Sequence, residues 1–304
     1  MRLILILACV FGFAGSTFAQ TRLDDTPRTA VISAFGPELT TLEAATSDKH
    51  AYAVGGATFT TGVLEGKPVV LFLSGMSMVN AAMTTQQALD RFKVTRVVFS
   101  GIAGGVDPAL DVGDVVVAEQ WAQYLENAVG REVAPGRFEP PPGEPLADRL
   151  APFGMMFPRG VVVTRTPGVM ERRVWFPADP AMLATAREVA GQVTLKRCIA
   201  DRCLVKPPRV VVGGNGVSGQ SFVDNAQFRT WAYDAFGAKV LDMESAAVAQ
   251  VAYVNGAPFI AFRSLSDLAG GERGPNELRI FFQLASDNSA AVVQRFLTVW
   301  TPPR

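Results

Sequence analysis

The chain has 304 residues, of which 49% are hydrophobic and 18% charged, so it can bury a large core and is too apolar for a disordered chain. Its 28 Lys and Arg residues balance its 28 Asp and Glu residues, and no basic stripe argues for a nucleic-acid partner. These values favour a globular protein that acts on a small molecule.

Residues 1–19 have the pattern of a cleavable signal peptide. Arg2 supplies a positive start, an apolar run covers 3–13, and small residues lead to Ala19. The run is short for a membrane span. We therefore predict cleavage after Ala19, export to the periplasm or out of the cell, and no membrane attachment of the mature domain, 20–304.

Strand and helix patterns alternate through the first part of this domain. In chain order the sequence predicts a strand at 28–35, a helix at 37–46, strands at 51–54 and 57–75 with a turn at Glu65-Gly66, a helix at 80–92, a strand from 94 that runs into a glycine-rich loop ending at 105, and a strand at 112–121. From 124 to 177 the pattern becomes irregular and rich in proline. We interpret it as an excursion from the core rather than a second domain.

The alternation resumes after the excursion. The predicted elements are a helix at 180–193, a strand at 209–219, a helix at 224–236, a short strand at 239–243, a helix at 244–256, a strand at 257–267 that leads into a glycine-rich loop, and a helix at 275–300. This order predicts a single α/β domain with a largely parallel sheet covered by helices.

Two cysteines remain in the mature chain, Cys198 and Cys203. They are close in sequence and would be exported to an oxidising compartment, where disulfides persist. Two cysteines with no histidine nearby make a poor zinc site. We predict a structural disulfide that closes a small loop.

Ligands of parallel α/β sheets bind beyond the carboxyl ends of the strands. The predicted strands therefore bring five sequence-distant segments to one cleft: 35–38, 74–76, 100–105, 217–222 and 264–267.

Several common catalytic patterns do not occur in this sequence. It has no phosphate-binding loop and no G-x-S-x-G elbow, and His50 is its one histidine. The glycine cluster at 101–105 does not open a helix, as a dinucleotide-binding fingerprint would. These observations disfavour NAD binding and a serine–histidine centre.

Three carboxylates, Glu38, Glu244 and Asp267, lie at strand ends that face the predicted cleft. Cleavage of an N-glycosidic bond passes through a cationic sugar, so it requires a proton for the leaving base, a grip on the sugar and an aimed water. Asp267 needs a desolvated pocket to donate a proton, because the ordinary pKa of aspartate is about 3.9.

Five blocks of the chain resemble the nucleoside phosphorylase/nucleosidase superfamily, and most closely its 5′-methylthioadenosine/S-adenosylhomocysteine nucleosidase branch. They follow the family order over nearly the whole mature chain and comprise "ISAFGPELTTL" (32–42), "LFLSGMSMVNAAMTTQQAL" (71–89), "FSGIAGGVDPALDVGDVVV" (99–117), "GVSGQSFVDN" (216–225) and "LDMESAAVAQVAYVNGAPFIAFRSLSD" (241–267). The resemblance implies one α/β domain around a mixed sheet, usually a homodimer or larger assembly, with a purine nucleoside as its partner and no metal or organic cofactor.

The resemblance also implies roles for individual residues. Glu38 would activate the water, and Asp267 would protonate the base at N7. The implied substrate-binding residues are Met243 and Glu244 for the ribose, Phe222 and the Val223 backbone for the purine, and Ile102 and Ser266 elsewhere in the site.

The chain departs from the family pattern at three positions. Ile102 replaces a common serine, Gln220 a common acidic residue, and Asp242 a common glutamate. These departures leave the nucleoside and its 5′ substituent open. We expect the excursion to build part of the 5′ pocket, with a second subunit as a further candidate contributor.

The choice of nucleophile decides between hydrolysis and phosphorolysis. The first loop, "AFGPELT", has no arginine to bind phosphate and carries Glu38, which would repel it. Water is therefore the favoured nucleophile, although Arg263 could serve the sheet, a partner subunit or an anion. The alternatives are a phosphate-dependent purine nucleoside phosphorylase and a non-catalytic exported nucleoside-binding protein.

Overall fold

The computed structural model describes residues 21–301, so the signal peptide predicted at 1–19 lies outside the described residues. The first part of the chain contains β1 (Asp24–Ser33), α1 (Gly36–Ala44), β2 (Ser47–Val54), β3 (Ala57–Leu64), β4 (Lys67–Leu73), α2 (Met78–Arg91), β5 (Phe92–Gly105), β6 (Val115–Val117) and β7 (Gln120–Gln123). The middle part contains β8 (Asn127–Val129), β9 (Arg131–Ala134), β10 (Arg137–Glu139), β11 (Met156–Pro158), β12 (Val161–Thr166), β13 (Val169–Arg173) and β14 (Trp175–Pro177). The last part contains α3 (Pro180–Val189), β15 (Cys198–Ile199), β16 (Arg202–Cys203), β17 (Val210–Val212), β18 (Asn215–Ser218), α4 (Ala226–Phe236), β19 (Ala238–Asp242), α5 (Ser245–Asn255), β20 (Phe259–Asp267) and α6 (Leu278–Val299).

A mixed sheet of 12 strands forms the centre of the molecule. Its order is β14-β7-β18-β19-β5-β1-β4-β3-β2, and β20 pairs with β5 and with β6, which in turn pairs with β17. β1 runs parallel to β4 and β5, and β20 runs parallel to β5, whereas β19 and β3 are antiparallel to their neighbours β5 and β4. The predicted α/β domain with a mixed sheet flanked by helices is confirmed.

The central strands carry buried apolar residues on both faces, because helices cover both sides of the sheet. In β1, Ala30 and Ile32 belong to the core that contains α2 and α5, while Val31 points to the core of α1, α3 and α6. This alternation follows from the two-residue period of a strand. The sheet therefore holds the cleft between two packed layers.

One predicted loop is in fact strand: β5 continues through the glycine-rich run to Gly105. β20 ends at Asp267, as predicted, and pairs with this part of β5, with Phe262 opposite Ser100 and Asp267 opposite Gly104. Glycine is needed at 101, where a Cβ atom would lie 2.0 Å from Nη1 of Arg263. The glycine at 101 thus makes room for the Arg263 side chain on the neighbouring strand, and the glycine-rich run does not form a loop.

The predicted strand at 209–219 is two strands, β17 and β18. Gly213 and Gly214 separate them with φ angles of 127° and 76°, which favour glycine. The helix predicted to close at Gly256 does so, because that residue adopts the left-handed conformation of a helix C-terminus.

The excursion at 124–177 contains more regular structure than the sequence indicated. β8 pairs with β11, β9 with β10 and β12 with β13, all antiparallel, and β14 extends the main sheet beside β7. Most of these strands have only three to five residues, which is too short for a clear two-residue period.

The predicted disulfide is present. Cys198 of β15 and Cys203 of β16 are joined by an S–S bond of 2.04 Å. Among residues 21–301 no helix combines the length and apolar character needed to cross a membrane.

Candidate active site

A cavity of about 660 Å³ opens at the carboxyl ends of the central strands. All eight side chains predicted to act on substrate line it: Glu38, Ile102, Phe222, Val223, Met243, Glu244, Ser266 and Asp267. The five sequence-distant segments predicted to form one cleft all contribute to its wall. Their proximity is a result of the structure, whereas the roles of the individual side chains remain predictions.

Glu38 lies in the first turn of α1 and is buried. Its Oε2 accepts hydrogen bonds from the backbone N–H of Ala34 at 2.6 Å and of Phe35 at 3.3 Å, and its Oε1 accepts one from Ile102 at 2.7 Å. Burial raises the pKa of Glu38, and the charge of Arg263 and these N–H groups oppose that rise. A carboxylate has about four acceptor positions, so one remains for a further donor.

Asp267 ends β20 and is also buried. The Ser266 hydroxyl donates to its Oδ2 at 2.8 Å, and the Ala269 N–H donates to its Oδ1 at 2.9 Å. Burial is the main cause that raises the pKa of Asp267. The desolvated environment that a proton-donating aspartate requires is therefore present.

Glu244 precedes α5 and reaches across to the start of α2. Its Oε1 accepts a hydrogen bond from the Ser77 N–H at 2.7 Å. Burial raises the pKa of Glu244 to about 7, against the opposing charge of Arg263 and with a further contribution from Asp242. Glu244 is thus a buried acceptor next to the cavity.

Asp242 is held entirely by its neighbours in the fold. It accepts hydrogen bonds from the hydroxyls of Ser218 and Ser245, and from the backbone N–H groups of Glu244 at 3.2 Å and Ser245 at 3.1 Å. Its Oδ2 lies 2.7 Å from Nε of Arg263. These contacts suit a structural residue that orients the start of α5.

Arg263 lies at the centre of the carboxylates and is fully buried on β20. Its Nη1 is 3.8 Å from Oε1 of Glu38, its Nη2 is 3.6 Å from Oε2 of Glu244, and its guanidinium stacks 3.9 Å from the centre of the Phe99 ring. Within residues 21–301 neither Nη atom has a hydrogen-bond partner. The positive charge of the guanidinium offsets the charges of Glu38, Asp242 and Glu244, and its two Nη groups remain available as hydrogen-bond donors.

The segment 219–225, here called the base loop, lines another side of the cavity. Phe222 is 57% exposed and Val223 is nearly buried, so an aromatic face is open to a ligand. The Tyr124 hydroxyl donates to the Ser221 carbonyl at 3.1 Å and anchors the loop from behind.

The beginning of α6 forms a wall that the sequence did not indicate. Leu278, Arg279 and Phe282 line the cavity, together with Phe35, Pro37 and Met76. No residue of 124–177 does so, and the expectation that the excursion builds part of this pocket is wrong within the chain described. The excursion instead packs on β7, α4 and α5, and it reaches the cavity wall only indirectly, through the contact of Tyr124 with the base loop.

His50 lies on β2 with an exposed side chain, outside the cavity. Over residues 21–301 no group of three His, Cys, Asp or Glu side chains is arranged to hold a metal ion.

Comparison with known proteins agrees with this architecture. The model of the family described as "Phosphorylase superfamily" matches residues 28–298. The 5′-methylthioadenosine/S-adenosylhomocysteine nucleosidase of Marinomonas sp. (strain MWYL1) is 31% identical over 269 residues, which cover 88% of this chain and 96% of that protein. The enzyme of the same name from Geobacillus thermodenitrificans is 30% identical and covers 90% and 97%.

Solved structures give the same result. The 5′-methylthioadenosine/S-adenosylhomocysteine nucleosidase of Neisseria meningitidis, in complex with methylthio-immucillin-A, has a TM-score of 0.67 and 25% identity over 90% of this chain and 99% of that one. The nucleosidase of Colwellia psychrerythraea, in complex with adenine, has a TM-score of 0.67 and 27% identity over 89% and 94%. This chain therefore belongs to the phosphorylase superfamily, in its 5′-methylthioadenosine/S-adenosylhomocysteine nucleosidase branch.

Proposed function

We propose that this protein is a purine nucleosidase that hydrolyses the N-glycosidic bond of 5′-methylthioadenosine or S-adenosylhomocysteine, or of a closely similar adenosine. The products are the free base and the free sugar. The observation that carries the proposal is the convergence of Glu38, Glu244 and Asp267 on one cavity in a chain of this family.

Asp267 suits the role of the general acid. In the reaction the bond between C1′ and N9 breaks, its electron pair goes to the purine, and the Asp267 proton goes to N7. A group with a pKa raised by burial keeps a proton closer to neutral pH than ordinary aspartate does. Phe222 supplies a face on which the purine can stack.

Glu244 suits the sugar. Its Oε1 is held by the Ser77 N–H, so its remaining acceptor positions can take the ribose hydroxyls. Met243, its neighbour on the cavity wall, would cover the apolar face of the ring. Together they would hold the sugar while positive charge develops at C1′.

Glu38 suits the water. Three backbone N–H groups fix its carboxylate and leave one acceptor position. The oxygen of the water would bond to C1′, and Glu38 would take a proton from it. The free Nη donors of Arg263 lie next to the same carboxylate and can help to orient the water.

The charge of this region argues against phosphate as the nucleophile. Arg263 is buried and already faces Glu38, Asp242 and Glu244. A phosphate dianion at Glu38 would meet a like charge, and the arginine beside Glu38 is already shared among three carboxylates.

The test is a product analysis with the mature chain from Gln20. 5′-Methylthioadenosine, S-adenosylhomocysteine, adenosine and inosine are incubated with and without phosphate, and the products are separated by chromatography. We expect free base and free sugar without phosphate. A phosphate-dependent sugar phosphate would make the protein a phosphorylase, and tight binding without cleavage would make it a nucleoside-binding protein.

We also propose a homodimer that uses the exposed side of α2. Val79 and Met83 lie one turn apart on this helix and are 68% and 51% exposed, and Met76, which lines the cavity, is 60% exposed beside them. Such a row is typical of a protein interface. In sedimentation, the double variant Val79→Asp/Met83→Lys should shift a dimer to monomer, whereas Val205→Asp on a distant exposed loop should not.

We propose, finally, that the chain is exported and loses residues 1–19. The Cys198–Cys203 disulfide supports this, because such bonds persist outside the cytosol. Mass spectrometry of the protein from a native host should find Gln20 at the N-terminus of the periplasmic or secreted form. An intact Met1 in the cytosolic fraction would contradict export.

A further inference from the structure

The loop between β20 and α6 contains a carboxylate, Glu272, that the proposed chemistry does not use. It does not line the cavity. Its Oε1 accepts a hydrogen bond from the Leu268 N–H at 2.6 Å, and its Oε2 accepts one from the Gly270 N–H at 3.2 Å. Hydrogen bonds to an ionised acceptor are the stronger kind. Glu272 therefore clamps the turn that directly follows Asp267.

This turn contacts both the acid and the base loop. The Ala269 N–H donates to Oδ1 of Asp267 at 2.9 Å, and the Ala269 carbonyl accepts from the Asn225 N–H at 3.1 Å. Ala269 has a φ of 53°, a conformation that is unfavourable for alanine and needs support from its surroundings. The two hydrogen bonds of Glu272 on either side of Ala269 provide that support.

The charge of Glu272 acts in the same direction as burial and raises the pKa of Asp267. The other charged groups around the turn are Arg273, which follows Glu272 in the loop, and Arg229, Glu277 and Asp224. Arg229 of α4 passes over Gly271 and donates a hydrogen bond to the Gly105 carbonyl. Glu277 precedes α6, and burial and the charge of Glu272 raise its pKa. Asp224 accepts a hydrogen bond from the side chain of Asn276. None of the ion pairs found in residues 21–301, in which N and O lie within 4.0 Å, includes Glu272.

We propose that Glu272 is a positioning residue for the general acid: its carboxylate fixes the turn whose Ala269 N–H holds Asp267, and it places a second negative charge beside that acid. The proposal rests on the proposed function, in which Asp267 protonates the purine. It adds a residue outside the cavity that sets both the direction of the acid and the pH range in which the acid works.

Two variants separate the two effects. Glu272→Gln keeps the size of the side chain and one acceptor oxygen but removes the charge, and Glu272→Ala removes both. The activity of an enzyme with an essential acid falls as the pH rises through the pKa of that acid. In Glu272→Gln we expect the alkaline limb of the pH profile of kcat/KM for 5′-methylthioadenosine to lie about one pH unit lower than in the wild type. We expect kcat at pH 5 to be nearly unchanged. Glu272→Ala should show the same shift and about a tenfold lower kcat at pH 5.

Glu277→Gln is the matched control. Glu277 lies near the same loop but makes no side-chain hydrogen bond to the start of α6, and it is not among the groups that shift the pKa of Asp267. Its variant should leave the alkaline limb in place. An unchanged limb in Glu272→Gln, or an equal shift in both variants, would overturn the proposal, provided that thermal melting shows all variants folded.

A second measurement does not depend on turnover. The carbon-13 signal of the Asp267 carboxyl, assigned by its loss in Asp267→Asn, is titrated in the wild type and in Glu272→Gln. A lower midpoint in the variant supports the role of the charge even if the chain cleaves no nucleoside, an outcome that would refute only the proposed function. Equal midpoints refute the proposal about Glu272.

Discussion

At the scale of single residues, Asp267 is the side chain on which the proposed chemistry depends most. Replacing it with asparagine removes the proton donor and keeps a side chain of the same shape, which can still accept from the Ala269 N–H. We expect kcat for 5′-methylthioadenosine to fall by about 10²–10⁴-fold, the range attributed to a general acid. Adenine release measured by absorbance and a thermal melt of the same sample check this.

The control for this variant is Asp234→Asn, which changes an exposed carboxylate of α4 away from the cavity. It should leave both turnover and melting unchanged. If Asp267→Asn turns over substrate at a near-normal rate, Asp267 is not the general acid. Its raised pKa would then reflect burial alone and no catalytic role.

The strand ends located Glu38, Glu244 and Asp267 and the resemblance implied their roles, whereas the structure shows why Arg263 was harder to interpret. Its side chain passes over Gly101 on the neighbouring strand and reaches Glu38, which lies far away in sequence. A single sequence shows an arginine in an apolar strand and a glycine elsewhere. It does not show that Gly101, because it lacks a Cβ atom, makes room for the guanidinium of Arg263.

At the scale of elements, the first half of α6 connects the disulfide hairpin with the cavity. Leu204, just after the disulfide, packs with Phe281 and Leu284 on one side of the helix, while Phe282 on another side lines the cavity. The buried Asn288 bonds to both the N–H and the carbonyl of Lys196. The hairpin therefore supports the helix that forms the cavity wall.

Removal of the disulfide should loosen this support. The chain-entropy relation for so short a loop gives about 2 kcal/mol of lost stability for Cys198→Ser/Cys203→Ser. We expect a lower melting temperature, faster hydrogen exchange at 278–284 and a raised KM for the nucleoside, with kcat changed little. Dithiothreitol should reproduce these effects in the wild type and have none in the double variant. An unchanged KM together with a lowered melting temperature would mean that the hairpin stabilises the fold without supporting the site.

Most element types were predictable, and the exceptions have a common cause. β4, the second half of β1 and the first half of β20 are largely apolar, and α5 ends at a left-handed glycine, so local sequence defines these elements. The end of β5 is strand because β20 pairs with it, although its glycines alone suggest a loop. The short hairpins of 124–177 likewise depend on pairing partners that no local period reveals.

At the scale of the whole molecule, buried acids and ion-paired acids act on stability at different pH. Asp24, Asp107 and Asp287 have lowered pKa values despite their burial, because hydrogen bonds and charges from Arg28, Lys239 and Lys196 act on them. Their contribution to stability is present above the ordinary pKa of aspartate and is lost in acid. Glu38, Glu244 and Asp267 have pKa values raised by burial, so their effect on stability has the opposite sign.

Glu244 gives this second effect a measurable size. Its folded-state pKa of about 7 lies above the ordinary value of 4.5, so between these values the folded protein binds more protons than the unfolded chain. Stability must therefore decrease as the pH rises through that window, by roughly 2–3 kcal/mol for a shift of this order. Glu244→Gln cannot titrate, and relative to the wild type it should gain about that amount between pH 5 and pH 8.

Urea unfolding of both proteins at pH 5, 6, 7 and 8 measures this difference, with Glu43→Gln on the exposed side of α1 as the control that should show no trend. A difference that stays constant over the whole range would mean that Glu244 titrates normally in the fold. If the difference grows with pH, the wild type is carrying a destabilising carboxylate in its core. Its retention is then explained by the ribose-binding role, since sites that bind a charged transition state are commonly kept at a cost in stability.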